Sequence, residues 1–166
     1  MKAFLINIVI ILLCLICPTC YMVNHIKFVQ QCAGYIKQAA DANTVELALE
    51  RLNLAIDYVE VNNLTSGYTS IMWRTEDENI GFWYNNLKAC QQELQAGLKQ
   101  TLLEKTNLLL KVRESLVDNH NGSISLTVPD GISIYPNNLI YCLCDLLSCI
   151  ILFGLIIYDM YKYFDY

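Results

Sequence analysis

Two long apolar runs, one towards either end, constrain this chain more than any other feature. Ala3 to Val23 is apolar apart from Asn7 and the Pro18-Thr19 pair, and Leu139 to Tyr158 is apolar apart from Asp145 and Ser148. A helix rises about 1.5 Å per residue, so either run crosses a hydrocarbon layer of roughly 30 Å. Charge is concentrated between them. His25 to Asn138 holds nine of the 11 Lys and Arg and 13 of the 16 Asp and Glu, for a net charge of −4. Only 16% of the whole chain is charged, against roughly 25% in a soluble domain. The pattern predicts an integral membrane protein, mainly α, with two terminal transmembrane helices (1–23 and 139–158), a water-facing middle and a short tail over 159–166. The lipid bilayer is then the first partner. Nucleic acid is not expected, because a formal charge of −5 offers no basic face to displace phosphate counterions.

The first run has a competing interpretation as a cleaved signal peptide, with Lys2 as its basic start and Pro18 as its break. No small-x-small cleavage site follows, and Leu13, Ile16 and Thr19 before Cys14, Cys17 and Cys20 make no lipobox. In the second run Asp145 costs about 2.5–3.5 kcal/mol if it sits at mid-membrane. It lies six residues in from Leu139, roughly 9 Å from that end. An intramembrane carboxylate is a functional candidate; the plainer account is a protonated or interface-reaching Asp. Tyr158, Tyr161, Tyr163, Phe164 and Tyr166 around Lys162 suit the headgroup level. With both spans retained, the two termini share one side, and Lys2 and Lys162 place that side in the cytoplasm and the middle outside it. Asn63-Leu64-Thr65 and Asn121-Gly122-Ser123 both fit the N-glycosylation pattern.

The middle (24–122) reads as a long antiparallel helical hairpin, with helices over about 25–62 and 75–118. In the first, Val45, Leu49, Leu52, Ile56 and Val59 share a face, with Val29, Ala33, Ile36 and Ala40 as a weaker stripe upstream. Asp41-Ala42-Asn43-Thr44 is a candidate interruption, and Thr44 a candidate cap. Asn62 to Gly67 forms the bend. Thr75 and Glu78 have the spacing of a capping box. Ile80, Trp83, Leu87, Cys90, Leu94, Leu98, Leu102, Leu109, Val112 and Leu116 then recur at 3.6 residues, predicting one nearly straight helix. Each helix is roughly 60 Å long. Leu103, Leu108 and Leu110 make the second stripe too wide for one hairpin to cover. Self-association follows, two hairpins pairing as a coiled-coil-like four-helix bundle. Over 123–136 the period falls to two: Ile124, Leu126 and Val128, a Pro129-Asp130-Gly131 turn, then Ile132 and Ile134, a membrane-proximal β-hairpin.

Chemistry-bearing constellations are few. Six of the eight cysteines, Cys14, Cys17, Cys20, Cys142, Cys144 and Cys149, lie in or beside the spans. Cys17 and Cys20 have C-x-x-C spacing but not the strand-to-helix setting of thioredoxin-like chemistry. Packing or lipidation accounts for them more simply. In the predicted hairpin Cys32 and Cys90 lie about 24 Å apart, beyond the roughly 7 Å a disulfide spans. His25 and His120 meet at its membrane-proximal end, and two ligands alone hold no metal. No metal, cofactor or catalytic residue is assigned. The bend gathers Tyr68, Trp73, Arg74, Phe82, Trp83 and Tyr84 near Glu76-Asp77-Glu78. Aromatic and Arg side chains anchor binding hot spots, so these six are the partner-binding candidates, weighed against a small aromatic core closing the bend.

The sequence therefore points to a non-enzymatic, membrane-anchored interaction or scaffold protein with an unidentified protein partner. An alternative is an extracytoplasmic ligand-sensing module. Its arrangement of a helical hairpin between two spans resembles, in arrangement only, the ligand-binding parts of bacterial chemoreceptors. With eight residues after the second run, such a module signals through a partner. A remote alternative is a membrane thiol oxidoreductase using Cys17 and Cys20.

Overall fold

A computed structural model describes residues 2–120 and 123–164. It is mainly helical, with one small antiparallel two-stranded sheet. The first helical stretch comprises α1 (Lys2–Cys14), α2 (Ile16–Phe28), a π-helical turn (Val29–Ala33) and α3 (Gly34–Ala40). The π turn has a sequence cause. Phe28, Cys32, Ile36 and Ala40 are all buried and stand four apart, whereas an α-helix turns every 3.6 residues, so this stripe drifts about 40° per step. The wider π turn absorbs the drift and keeps the stripe on one face.

Asp41 to Thr44 does interrupt the helix, and Thr44 caps α4 (Val45–Val61) by accepting the Leu47 amide at 3.2 Å. Val45, Ala48, Leu52, Ala55, Ile56 and Val59 form its buried face. The second predicted helix is not continuous. Thr75 bonds the Glu78 carboxylate (2.9 Å), but Glu76–Glu78 is only a 3-10 turn. Asn79 is the true cap of α5 (Ile80–Gly97), accepting from the Phe82 amide at 3.0 Å. α5 then stops. Leu98 to Gln100 turn the chain, and α6 (Leu102–Leu116) begins at a capping box between Thr101 and Glu104. A poor helix former, Gly97, followed by that box breaks the apolar stripe that otherwise ran on through Leu98 and Leu102.

These breaks give a four-helix bundle within one chain: the π turn with α3, then α4, α5 and α6, each packed on the next and α6 closing on α3. Cys32 faces the Ala55 carbonyl, and Phe28 meets Tyr58 edge-on. Tyr84 bonds Glu60 (2.7 Å), and Gln91 bonds Asn53 (2.6 Å), so α5 runs antiparallel to α4. Lys111 pairs with Glu93 at 2.6 Å, and Gly97 lies against Leu108, so α6 runs antiparallel to α5. The core draws on all four helices, including Ile36, Leu52, Ile56, Ile80, Leu87, Leu94, Val112 and Leu116. Leu102, Leu103 and Leu110 remain exposed.

The sheet pairs β1 (Val117–His120) with β2 (Ser123–Leu126), Val117 opposite Leu126 and His120 opposite Ser123. The predicted hairpin was placed later, across Pro129-Asp130-Gly131. Gly131 there takes a left-handed φ of 73° and leads into a 3-10 turn, Ile132–Ile134. Asn-Gly between the observed strands is the stronger two-residue hairpin signal. Asn121 itself, a predicted glycosylation site, lies outside the described residues. Asn63, the other, has a left-handed φ of 56° just after α4.

α7 (Asn138–Phe164) closes the chain and packs antiparallel on α1 and α2. Cys17 Sγ is 4.0 Å from the Tyr141 carbonyl, and Asn24 donates to the Tyr141 hydroxyl at 2.9 Å. Two helices are thus long and apolar enough to cross a membrane, 34 residues from Asn7 and 21 from Asn138. Asn24, Lys27, Asn62 and Asn137 line a polar cleft between them and the bundle.

Candidate functional site

The sequence places the bend at Asn62 to Gly67, with the aromatic cluster after it, at the far tip of a hairpin. In the bundle α4 has already returned, so the bend lies beside the start of α7. The buried Asn138 amide donates to the Thr69 carbonyl (2.8 Å) and to the Gly131 carbonyl (3.1 Å). Gly67, at φ 103°, sits against the Tyr135 ring, leaving no room for a Cβ. The Ile80 amide donates to the Gly67 carbonyl at 2.9 Å, and the Thr69 amide to the Glu78 carbonyl at 3.1 Å. The loop is therefore pinned on both sides, by the foot of α5 and by the approach to α7.

The six aromatic and Arg candidates divide into three settings. Trp83 is core, 5% exposed, and its indole Nε1 finds no hydrogen-bond partner among the described residues. Tyr84 faces α4: its bond to Glu60 holds the Glu60 carboxyl below the usual range, with help from Lys88, and the same bond raises the Tyr84 hydroxyl above its own. Tyr68, Trp73, Arg74 and Phe82 belong to the outside. The Tyr68 hydroxyl accepts from Asn79 (3.2 Å), and the Arg74 guanidinium lies 5.4 Å above the Tyr68 ring. Trp73 and Phe82 are exposed. Burial thus favours the closing-core account for Trp83 alone.

Phe82 and Trp83 share a groove of about 460 Å³ between the foot of α5 and the segment after β2. Glu76, Asp77 and Asp118 supply its acid, and Leu126 to Pro129 its opposite wall. None of the ion pairs among the described residues involves these three carboxylates. The aromatics are grouped by their spacing in the chain, whereas Asp118 and Thr127 carry no such signal. They reach the groove only because α6 brings the chain back to the foot of α5.

Asp145 lies on the side of α7 turned towards the first apolar helix, in reach of the Cys17 thiol, as is Cys144. Cys17 is half-buried there, whereas Cys20 is exposed, and all eight thiols are free. Cys32 and Cys90 are both buried in the bundle. His25 stacks on Tyr21 and lies 3.5 Å from the Ser133 hydroxyl, while His120 ends β1. No family model matches this chain, and neither a curated protein nor a solved structure shows significant similarity to it.

Proposed function

We propose that this chain is a membrane-anchored, non-enzymatic interaction protein, held in the bilayer by its two apolar helices and offering the groove at the foot of α5 to a protein partner. The carrying observation is the bareness of the two helices. Leu12, Leu13 and Ile16 on one and Ile150, Phe153 and Ile157 on the other are each more than half exposed. A soluble fold covers helices of that hydropathy, and apolar surface on this scale otherwise meets lipid or another chain. Lys2 and Lys162 support a cytoplasmic side for both chain ends and an outward bundle. The groove, acidic at Glu76, Asp77 and Asp118 and aromatic at Phe82, suits a partner segment that carries a positive charge beside an apolar side chain. Self-association belongs to the same proposal, supported by the uncovered Leu102, Leu103 and Leu110 of α6.

The test is photo-crosslinking from position 82 in native membranes after a carbonate wash. Retention in the membrane with a discrete adduct, lost on charge reversal at Glu76 and Asp77, supports the proposal. Release by carbonate, or an unchanged adduct pattern, refutes it.

A second interpretation, the ligand sensor, is favoured by one observation: the buried, unpartnered Trp83 indole beside the groove. A small molecule with an acceptor group there would raise the unfolding temperature in a concentration-dependent way, which a protein-only groove would not show.

A further inference from the structure

We propose that the loop Ser70–Arg74 lies in the headgroup layer of the bilayer that holds α7, with Ile71, Met72 and Trp73 as its apolar wedge. The inference rests on the membrane-anchored proposal above and adds a third point of contact to the two spans.

The three side chains are consecutive and uncovered, exposed by 44%, 76% and 76%, while Thr69 just before them is 4% exposed. A water-facing loop tip is ordinarily built from small and polar residues. This one carries one of the two Trp of the chain. Position gives the wedge its occupant. The Thr69 carbonyl is clamped at 2.8 Å by Asn138, the first residue of α7. An extended chain covers at most about 3.6 Å per residue, so Ile71 lies within about 7 Å of that clamp. The exposed face of α7 begins at the next residues, Leu139 and Ile140. The loop thus leaves its clamp beside the apolar start of the span.

The chemistry suits lipid headgroups better than a protein. Trp places its ring among acyl chains and its N–H in the wet layer, which is why it concentrates at membrane–water boundaries. Arg74 stacked 5.4 Å over Tyr68 holds a cation at the same depth, in reach of a lipid phosphate. Glu76 and Asp77, which a lipid phosphate would repel, line the groove instead.

Trp73 can be read apart from the other Trp, Trp83, which is 5% exposed at the edge of the groove. Purified full-length chain and its Trp73→Phe variant are reconstituted into phosphatidylcholine vesicles, and the difference in emission isolates Trp73. With phospholipids brominated near the headgroup end of the acyl chain, Trp73 emission should be blue-shifted, quenched several-fold more by the bromolipid than the Trp83 signal, and little quenched by aqueous iodide. Red-shifted emission, quenched by iodide and untouched by bromolipid, overturns the inference; that is also the outcome if the wedge serves a protein absent from the vesicles. A carbonate wash of the same vesicles separates the failures. A chain that stays inserted with Trp73 in water loses only this inference, whereas a chain that washes off loses the membrane-anchored proposal as well.

Discussion

Replacing Asn138 with Ala tests whether one side chain joins the apolar helix, the bend and the Gly131 turn into one body. Its amide bonds the Thr69 carbonyl at 2.8 Å and the Gly131 carbonyl at 3.1 Å, and the residue is 8% exposed. Truncation leaves a buried carbonyl at Thr69 without a donor, costing about 1–3 kcal/mol. The Gly131 carbonyl, on an exposed residue, adds at most about 1 kcal/mol. Part of this is offset, because the Asn138 Oδ1 is itself buried and unpartnered and its removal relieves that penalty. A net loss of about 2–3 kcal/mol lowers the unfolding midpoint by roughly 5–10 °C for a chain of this size. The assay is thermal unfolding in detergent micelles, with limited proteolysis over 66–79 as a local readout. Asn137→Ala, one residue earlier and exposed, is the control and should fall within about 0.5 kcal/mol of the parent. If the two variants unfold together and the bend is cut no faster in Asn138→Ala, the clamp is not a determinant of this fold.

Gly67→Ala should lose about 1–3 kcal/mol, because φ of 103° disfavours any Cβ and that Cβ would meet the Tyr135 ring; chemical denaturation of the pair measures it. Acid should unfold the bundle through carboxyls whose folded pKa lies below the usual value: Glu60 through Tyr84, Glu46 through Lys105 and Glu104 through Thr101. Their contribution is present above the ordinary carboxyl value of 4.5 and is lost as pH falls through the folded pKa, so Glu104→Gln should flatten the acid limb of a circular-dichroism titration. Cys90, 6% exposed and with its thiol pushed above the usual range by burial, should stay unlabelled by aqueous maleimide until the bundle unfolds; labelling of the native chain at the rate of a free thiol would contradict its placement.

The apolar helices and the buried face of α4 were legible because each rests on a local period. Thr44 was legible as a cap for the same reason. The break after Gly97 was not read, although Thr101-x-x-Glu104 announced it, because Leu94, Leu98 and Leu102 carry the stripe across the turn in unbroken four-residue steps. A second misreading inverted the geometry: the segment 41–44, read as an interruption between stretches of one helix, is where the chain reverses and α4 runs back along α3. One long helix over 25–62 would put Trp73 and Phe82 far from the first apolar helix, whereas the reversal at 41–44 returns the bend to the start of α7. The hairpin register was misjudged because Leu126 and Val128 continue the alternation past the true strand end. The groove itself was out of reach, since Asp118 and Phe82 meet only through tertiary packing.

The π turn at Val29–Ala33 has a consequence for rotation. It joins the lower helix, whose Cys17 and Asn24 face α7, to the upper one, whose Ile36 and Ala40 enter the bundle. Five π-helical residues sweep about the same angle as four α-helical ones, so deleting a single residue from those five would let an ordinary α-helix form in their place with little turn of the lower helix against the upper. Asn24 would stay on Tyr141 while the bundle kept its own core. The pairing of the first apolar helix with α7 is therefore insulated from the loss of one amino acid at this turn, whereas the same loss within α2 or α3 would turn one end by about 100° against the other.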